Sequence, residues 1–320
     1  MRHVFILNPA AGKKKGALSL IPEIEALFSR YDLEYAIHIT DAPGQATALA
    51  QAEVAKGDPV RLYACGGDGT LLEVASGMAD APHAELACVP CGSANDFIRF
   101  MPDKDRFHDL ARLVAGTARR VDAIRCNEKL SLNLCCLGVD ADVGARMVKY
   151  KHLPLVSGPM AYNLALVNTF FRPLGRKLRI TMETTQGKVE REGIFMFALA
   201  ANGQYYGGGY HGSPLSQPDD GLLDFVLIHK ISHLRVLAIL GKYKRGEHLG
   251  LDCCESFRGT SMEIVADTPA IVNADGECME DTRVRFEILP AAVSFVFPSA
   301  ADPAELLKNY EKSAKTPITP

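Results

Sequence analysis

The stretch Val60-Arg61-Leu62-Tyr63-Ala64-Cys65-Gly66-Gly67-Asp68-Gly69-Thr70-Leu71-Leu72-Glu73 reads as an apolar strand, a glycine-rich exit and the start of a helix. The same alternation extends on both sides of it. Val4–Leu7, Tyr35–Ile39 and Glu85–Val89 read as strands, and Ala17–Tyr31, Gly44–Lys56, Leu71–Met78 and Asp105–Ala115 read as helices. Strands alternating with helices predict a parallel α/β sheet, Rossmann-like, with ligands at the carboxyl ends of its strands.

After residue 122 the pattern changes. Ser131–Val139, Lys177–Thr184, Gly193–Ala201, Leu222–Ile228, Ser261–Ala266, Val284–Leu289 and Val293–Phe297 read as strands separated by turn residues. Pro159–Phe171 and His233–Lys244 are helical interruptions, and Asp302–Lys312 is a last helix. The expected organisation is an α/β domain over 1–122 and a mostly antiparallel β-sandwich domain over 123–299. The C-terminal helix, 300–313, is expected to return to the first domain.

The chain has 320 residues, of which 48% are apolar and 23% charged, enough to build a large core and too apolar for disorder. A net charge of −3 gives no basic field for nucleic acid. The longest apolar run, Ile194–Ala201, suits a buried strand and is far short of a membrane span. Met1–Leu7 runs into Asn8-Pro9 without a signal-peptide core, so a cytoplasmic location is expected. The nine cysteines are scattered, and Cys88-Val89-Pro90-Cys91 has no second pair to complete a zinc site.

Three small-residue loops follow predicted strands: Asn8-Pro9-Ala10-Ala11-Gly12, Gly66-Gly67-Asp68-Gly69-Thr70, and Pro90-Cys91-Gly92-Ser93-Ala94-Asn95-Asp96. Each is compatible with an ordinary strand-to-helix turn. Three in one sheet point to phosphate, because small residues let backbone N–H groups approach it and Thr70 and Ser93 add hydroxyls. Lys13–Lys15 supply charge or a solvated face. Asp68 would repel phosphate unless Mg²⁺ lay between them. There is no Walker-type loop. Gly207-Gly208-Gly209-Tyr210-His211-Gly212 matches a dinucleotide signature in letters only, since Ser213-Pro214 follows it instead of a helix.

Asn8-Pro9-x-Ala11-Gly12, Gly66-Gly67-Asp68-Gly69-Thr70 with Glu73, and Pro90-x-Gly92-Ser93-x-Asn95-Asp96-Phe97 resemble the diacylglycerol kinase-like lipid kinases of the soluble bacterial type. The likeness continues through Pro214 to Asp219-Asp220-Gly221-x-Leu223 and through Asp275-Gly276-Glu277. It implies two domains with ATP in the cleft between them. The implied nucleotide contacts are Asn8, Pro9, Ala10, Ala11, Gly12, Thr40, Gly66, Gly67, Asp68, Gly69, Thr70, Glu73, Gly92, Ser93 and Asn95. Ser93 stands where the family usually has Thr. Leu72 stands where relatives often carry Asn, which removes one polar contact from what the resemblance implies. Glu277 is the implied acid–base residue, with Asp275 and Asp68 helping to hold Mg²⁺. A hairpin turn is the plain alternative for Asp275-Gly276-Glu277. Gln217, Asp220 and Leu222 match a structural Mg²⁺ site, against a Pro-Asp-Asp-Gly turn holding no metal.

The reading is an ATP- and Mg²⁺-dependent lipid kinase that turns diacylglycerol into phosphatidic acid, peripheral at the inner membrane surface. A homodimer is left open. Arg146–Lys151 and Arg172–Arg179 flank Pro159–Phe171 and are either a bilayer-docking segment or a packed helix with solvated ends. The alternatives are a kinase of sphingosine-, ceramide- or phosphatidylglycerol-type lipids, an NAD kinase, which shares Gly-Gly-Asp-Gly, and a non-catalytic lipid-binding protein.

Overall fold

The computed structural model describes residues 1–12, 16–78, 81–151, 160, 164–165, 168–169 and 174–314. Two units separate along the chain: Met1–Val121 with Ala291–Pro320, and Asp122–Pro290. The first contains β1 (Arg2–Leu7), α1 (Ile21–Arg30), β2 (Tyr35–Ile39), α2 (Gln45–Val54), β3 (Val60–Gly66), α3 (Asp68–Gly77), β4 (Ala84–Pro90) and α4 (Leu110–Val114). Its strands are parallel in the order β4-β3-β1-β2. A parallel sheet is covered on both faces, so its strands are unbroken apolar runs, and β3 is buried along its whole length. Phe5 stacks on Tyr63 at 4.2 Å between ring centres, and Phe28 of α1 meets Phe5 edge-on at 5.3 Å.

Two helices expected as continuous are broken, each for a local reason. Pro22 has no N–H and fits only a first turn, so α1 starts at Ile21 after a 3₁₀ turn over Gly16–Leu20. Asp109 is extended and its side chain accepts the Arg112 amide, so it ends the 3₁₀ turn Lys104–His108 and caps α4.

Glu53 of α2 gathers three partners in a nearly buried position: Arg2 at 2.8 Å, the His38 ring at 3.0 Å and Lys56 at 2.8 Å. Burial pushes its carboxyl up, but the bonds from Lys56, Arg2 and His38 outweigh this and hold its pKa at about 2. A depressed carboxylate stabilises the fold above its ordinary pKa of 4.5 and loses that contribution as pH falls towards 2. Glu53→Gln is therefore expected to lower Tm at neutral pH and to flatten the fall of Tm with acid in that window. A slope equal to wild type would contradict it.

β5 (Thr117–Cys126) runs across the boundary into the second unit. There follow β6 (Lys129–Ser131), β7 (Leu134–Gly138), α5 (Val139–Lys151), β8 (Arg176–Thr184), β9 (Gly187–Ala201), β10 (Leu223–His229), α6 (His233–Lys244), β11 (Cys254–Ala274) and β12 (Glu277–Phe297). The pairings of β7 to β11 with one another are antiparallel. Alternate residues feed two cores. Cys135, Leu137, Ala198, Ala200, Phe225 and Leu227 enter one, while Leu134, Cys136, Leu199, Ala201, Val226 and Ile228 enter the other. This double burial is why Phe195–Ala201 is apolar without alternation, while Ile194 before it is exposed.

The short strands expected over 261–266, 284–289 and 293–297 are parts of β11 and β12, which form one long hairpin. Pro269 does not end β11, because the register shifts between Val265 and Ala270 and absorbs it in a bulge. β12 ends in the first unit, where Phe295 pairs in parallel with Leu86. The final helix, α7 (Pro303–Ala314), follows it there. Pro159–Phe171 lies almost wholly outside the described residues, as do Lys13–Lys15.

Candidate active site

In the order β4-β3-β1-β2, the chain leaves β1 on one side and returns on the other at β3. The switch point therefore lies between β1 and β3, at the strand ends that carry Asn8–Gly12 and Gly66–Thr70. The third loop leaves β4 beside them.

The three loops interlock. Asn8 donates Nδ2 to Thr70 Oγ1 at 3.0 Å, while its Oδ1 accepts the Ala10 amide at 3.0 Å. Cys91 and Gly92 both donate their amides to the Gly66 carbonyl, at 2.8 and 3.0 Å. A Cβ on Gly12 would lie 2.6 Å from the Cys91 carbonyl oxygen, and one on Gly92 would lie 2.5 Å from Gly67 Cα. Glycine at these two positions is a condition of the loops' approach. Asn95, at φ 49°, donates Nδ2 to the Gly92 carbonyl at 3.0 Å, and its buried Oδ1 has no partner among the described residues. Asp68 opens α3, and its Oδ1 accepts the Phe97 amide at 3.4 Å.

Around this edge Pro9, Ala10, Gly12, Gly69 and Ser93 are exposed, whereas Thr70 is buried. Thr40 is buried and donates its amide to the Leu7 carbonyl at 2.9 Å, bracing β2 on β1. Glu73 is committed to α2, since its Oε2 accepts the Ala46 amide at 3.1 Å in that helix's first turn. The loops and Asn8, Thr40 and Thr70 thus come together, and Glu73 acts one layer back.

In the second unit, Asp275-Gly276 is the two-residue turn between β11 and β12, with φ of 48° and 95°. These residues form the hairpin turn given as the plain alternative. The Asp275 carboxylate accepts amides from Leu132 at 2.6 Å, Asn133 at 3.1 Å and Leu134 at 2.9 Å. Burial pushes its carboxyl up against the pull of those amides. Both oxygens are therefore engaged in fixing the start of β7. Glu277 opens β12 with its side chain 53% exposed, its Oε2 3.0 Å from Lys129 Nζ.

The loop expected to hold structural Mg²⁺ is organised differently. Asp220 accepts the Leu222 amide at 3.0 Å and pairs with Arg258, whose Nε also lies 3.3 Å from Asp224. A cation bound through Asp220 would compete with a guanidinium already there, and Gln217 is exposed. No group of three metal-ligating side chains occurs among the described residues. Arg258 thus occupies the one carboxylate of the expected site, whose other expected ligands are backbone carbonyls. Burial pushes the thiols of Cys88 and Cys91 up, Cys91 to about 11, so neither is an activated thiolate.

Sequence reading missed residues that act at long range. Asn202 donates Nδ2 to the carbonyls of Asp122 and Leu132, both at 2.8 Å, and Asp122 accepts the Gly221 amide at 2.7 Å. Lys129 and Arg258 are missed for the same reason: each partner is distant in sequence.

Comparison with known proteins identifies the family. The diacylglycerol kinase catalytic domain model matches residues 2–126, and the YegS C-terminal NAD kinase beta sandwich-like domain model matches residues 133–297. A Pseudomonas aeruginosa PAO1 protein named "Probable lipid kinase YegS-like" is 31% identical over 269 residues, covering 84% of this chain and 86% of that protein. A Staphylococcus aureus MRSA252 protein named "Diacylglycerol kinase" is 25% identical over 306 residues, covering 95% of each. A crystal structure described as a diacylglycerol kinase from Bacillus anthracis str. Sterne superposes with a TM-score of 0.68 at 21% identity, covering 94% of this chain and 98% of that one. That likeness shows the fold, an N-terminal α/β domain followed by a β-sandwich-like domain. The chain is an enzyme and belongs to the diacylglycerol kinase-like lipid kinase family.

Proposed function

We propose that the protein transfers the γ-phosphate of ATP to the free hydroxyl of diacylglycerol, releasing phosphatidic acid and ADP. The observation that supports this reading most is the interlocked set of three small-residue loops at the switch point of the first unit. Such loops suit a triphosphate, and the unpartnered Asn95 Oδ1 offers an acceptor to a donor on the nucleotide or its water.

Glu277 is the proposed base. It takes the proton from the acceptor hydroxyl as that oxygen bonds to the γ-phosphorus and the bond to the β-phosphate oxygen breaks. Phosphoryl transfer otherwise rests on positioning and charge neutralisation. Asp68, a hard oxygen donor, is the residue we assign to Mg²⁺, which would neutralise phosphate charge. Asp275 serves by holding β7 and the Glu277 turn in place. Since the acceptor is a membrane lipid, the enzyme works at the bilayer surface, on the cytoplasmic side where ATP is found.

The test is an acceptor panel. Purified protein with labelled ATP and Mg²⁺ is given diacylglycerol, ceramide, sphingosine, phosphatidylglycerol or NAD in mixed micelles. Label in phosphatidic acid is expected. Label in a different lipid would replace the acceptor, and label in NADP would replace the lipid reading by an NAD kinase.

A further inference from the structure

We propose that α6 is a membrane-docking helix that lies in the plane of an anionic bilayer, with Leu234 and Leu237 inserted among the lipids. This rests on the lipid-acceptor reading, since a bilayer is the surface such an enzyme must meet. Ser232 caps the helix by accepting the Arg235 amide, so its first turn is ordered. Val236 and Tyr243, seven residues apart, pack into the core of the second unit. At 3.6 residues per turn this places Leu234, Leu237, Ala238 and Gly241 on the opposite face. Leu234 is 79% exposed and Leu237 57% exposed. Ile194, whose carbonyl accepts the Lys230 amide just before the helix, is 47% exposed.

Neighbouring leucines exposed on one face of an ordered helix form an apolar patch of the kind that marks protein or membrane contact. Its charge identifies the occupant. From Phe225 to Gly246 the sequence contains no Asp or Glu but has Lys230, Arg235, Lys242, Lys244 and Arg245. The acidic groups that face this segment come from neighbouring chain: Asp252 pairs with Arg235, Glu247 with Arg245, and Glu255 with His229. Lys230, Lys242 and Lys244 have no carboxylate within ion-pair distance among the described residues. By helical position Lys242 and Lys244 lie on either side of the leucine stripe; the Lys244 ammonium rests over the Tyr210 ring, 5.7 Å from its centre, and Lys242 lies near Glu247. Apolar residues flanked by lysines match acyl chains flanked by phosphate headgroups.

The experiment is co-sedimentation of the full chain with phosphatidylcholine vesicles, with and without phosphatidylglycerol. Wild type is expected to bind the anionic vesicles and to be released by salt. Leu234→Asp/Leu237→Asp should weaken that binding by roughly 30-fold or more, the effect of two leucines leaving an apolar medium. Lys242→Glu/Lys244→Glu should remove the salt-sensitive part. Both variants change exposed positions, so Tm and turnover of a short-chain acceptor dissolved as monomers should stay at wild-type values. Wild type that ignores anionic vesicles, or a leucine variant that sediments like wild type, would overturn the docking role. Failure of transfer to diacylglycerol alongside intact vesicle binding would instead overturn the acceptor assignment.

Discussion

Glu277→Gln lowers kcat for phosphoryl transfer by roughly 10²–10⁴-fold, the usual worth of a positioned base. ATP binding survives, because the nucleotide loops belong to the first unit and Glu277 belongs to the second. The fold survives as well. The Glu277–Lys129 pair is half exposed, and such surface pairs contribute about 0–1 kcal/mol. A purely structural role for Glu277 would act through that pair, so Lys129→Met is the control. Lys129→Met with near-normal turnover beside a silent Glu277→Gln supports the base. Equal losses in both, or near-normal turnover in Glu277→Gln, would contradict it.

Asp275→Ala acts on the fold. The substitution leaves three backbone amides, of Leu132, Asn133 and Leu134, without their acceptor. An unsatisfied buried donor costs about 1–3 kcal/mol, so a loss of roughly 3–5 kcal/mol is expected once partial rescue by water is allowed for. Alanine also tolerates the positive φ at 275 poorly, whereas asparagine adopts it readily. Asp275→Asn keeps one acceptor oxygen and should fall between wild type and alanine. Thermal unfolding of both variants reads this directly. Asp275→Ala with an unchanged Tm would show that the carboxylate does not secure β7.

Much of this was legible before any coordinates. The parallel α/β half follows from apolar runs broken at Asn8, Gly66 and Pro90, and the helix expected over His233–Lys244 spans those residues. The glycines at 12 and 92 were legible as loop formers, but their reason, the close passage of Cys91 and Gly67, is tertiary. The helix Val139–Lys151 was hidden, because it opens straight out of the apolar strand Leu134–Gly138 without a separating turn. The long hairpin was read as short strands because Pro269 resembles a stop unless a bulge absorbs it. The divergence at Asp220 has the same origin: its partner, Arg258, lies on another strand, and no local pattern announces it. Glu73 matches the family motif in letters, yet its carboxylate is bound to the first turn of a neighbouring helix.

The most direct measurement follows ATP consumption and phosphatidic acid formation together, using purified full-length protein, Mg²⁺ and diacylglycerol. One phosphatidic acid is expected per ATP consumed, with both processes stopping when Mg²⁺ is chelated. ATP consumed without phosphatidic acid, or no consumption despite bound nucleotide, would contradict it.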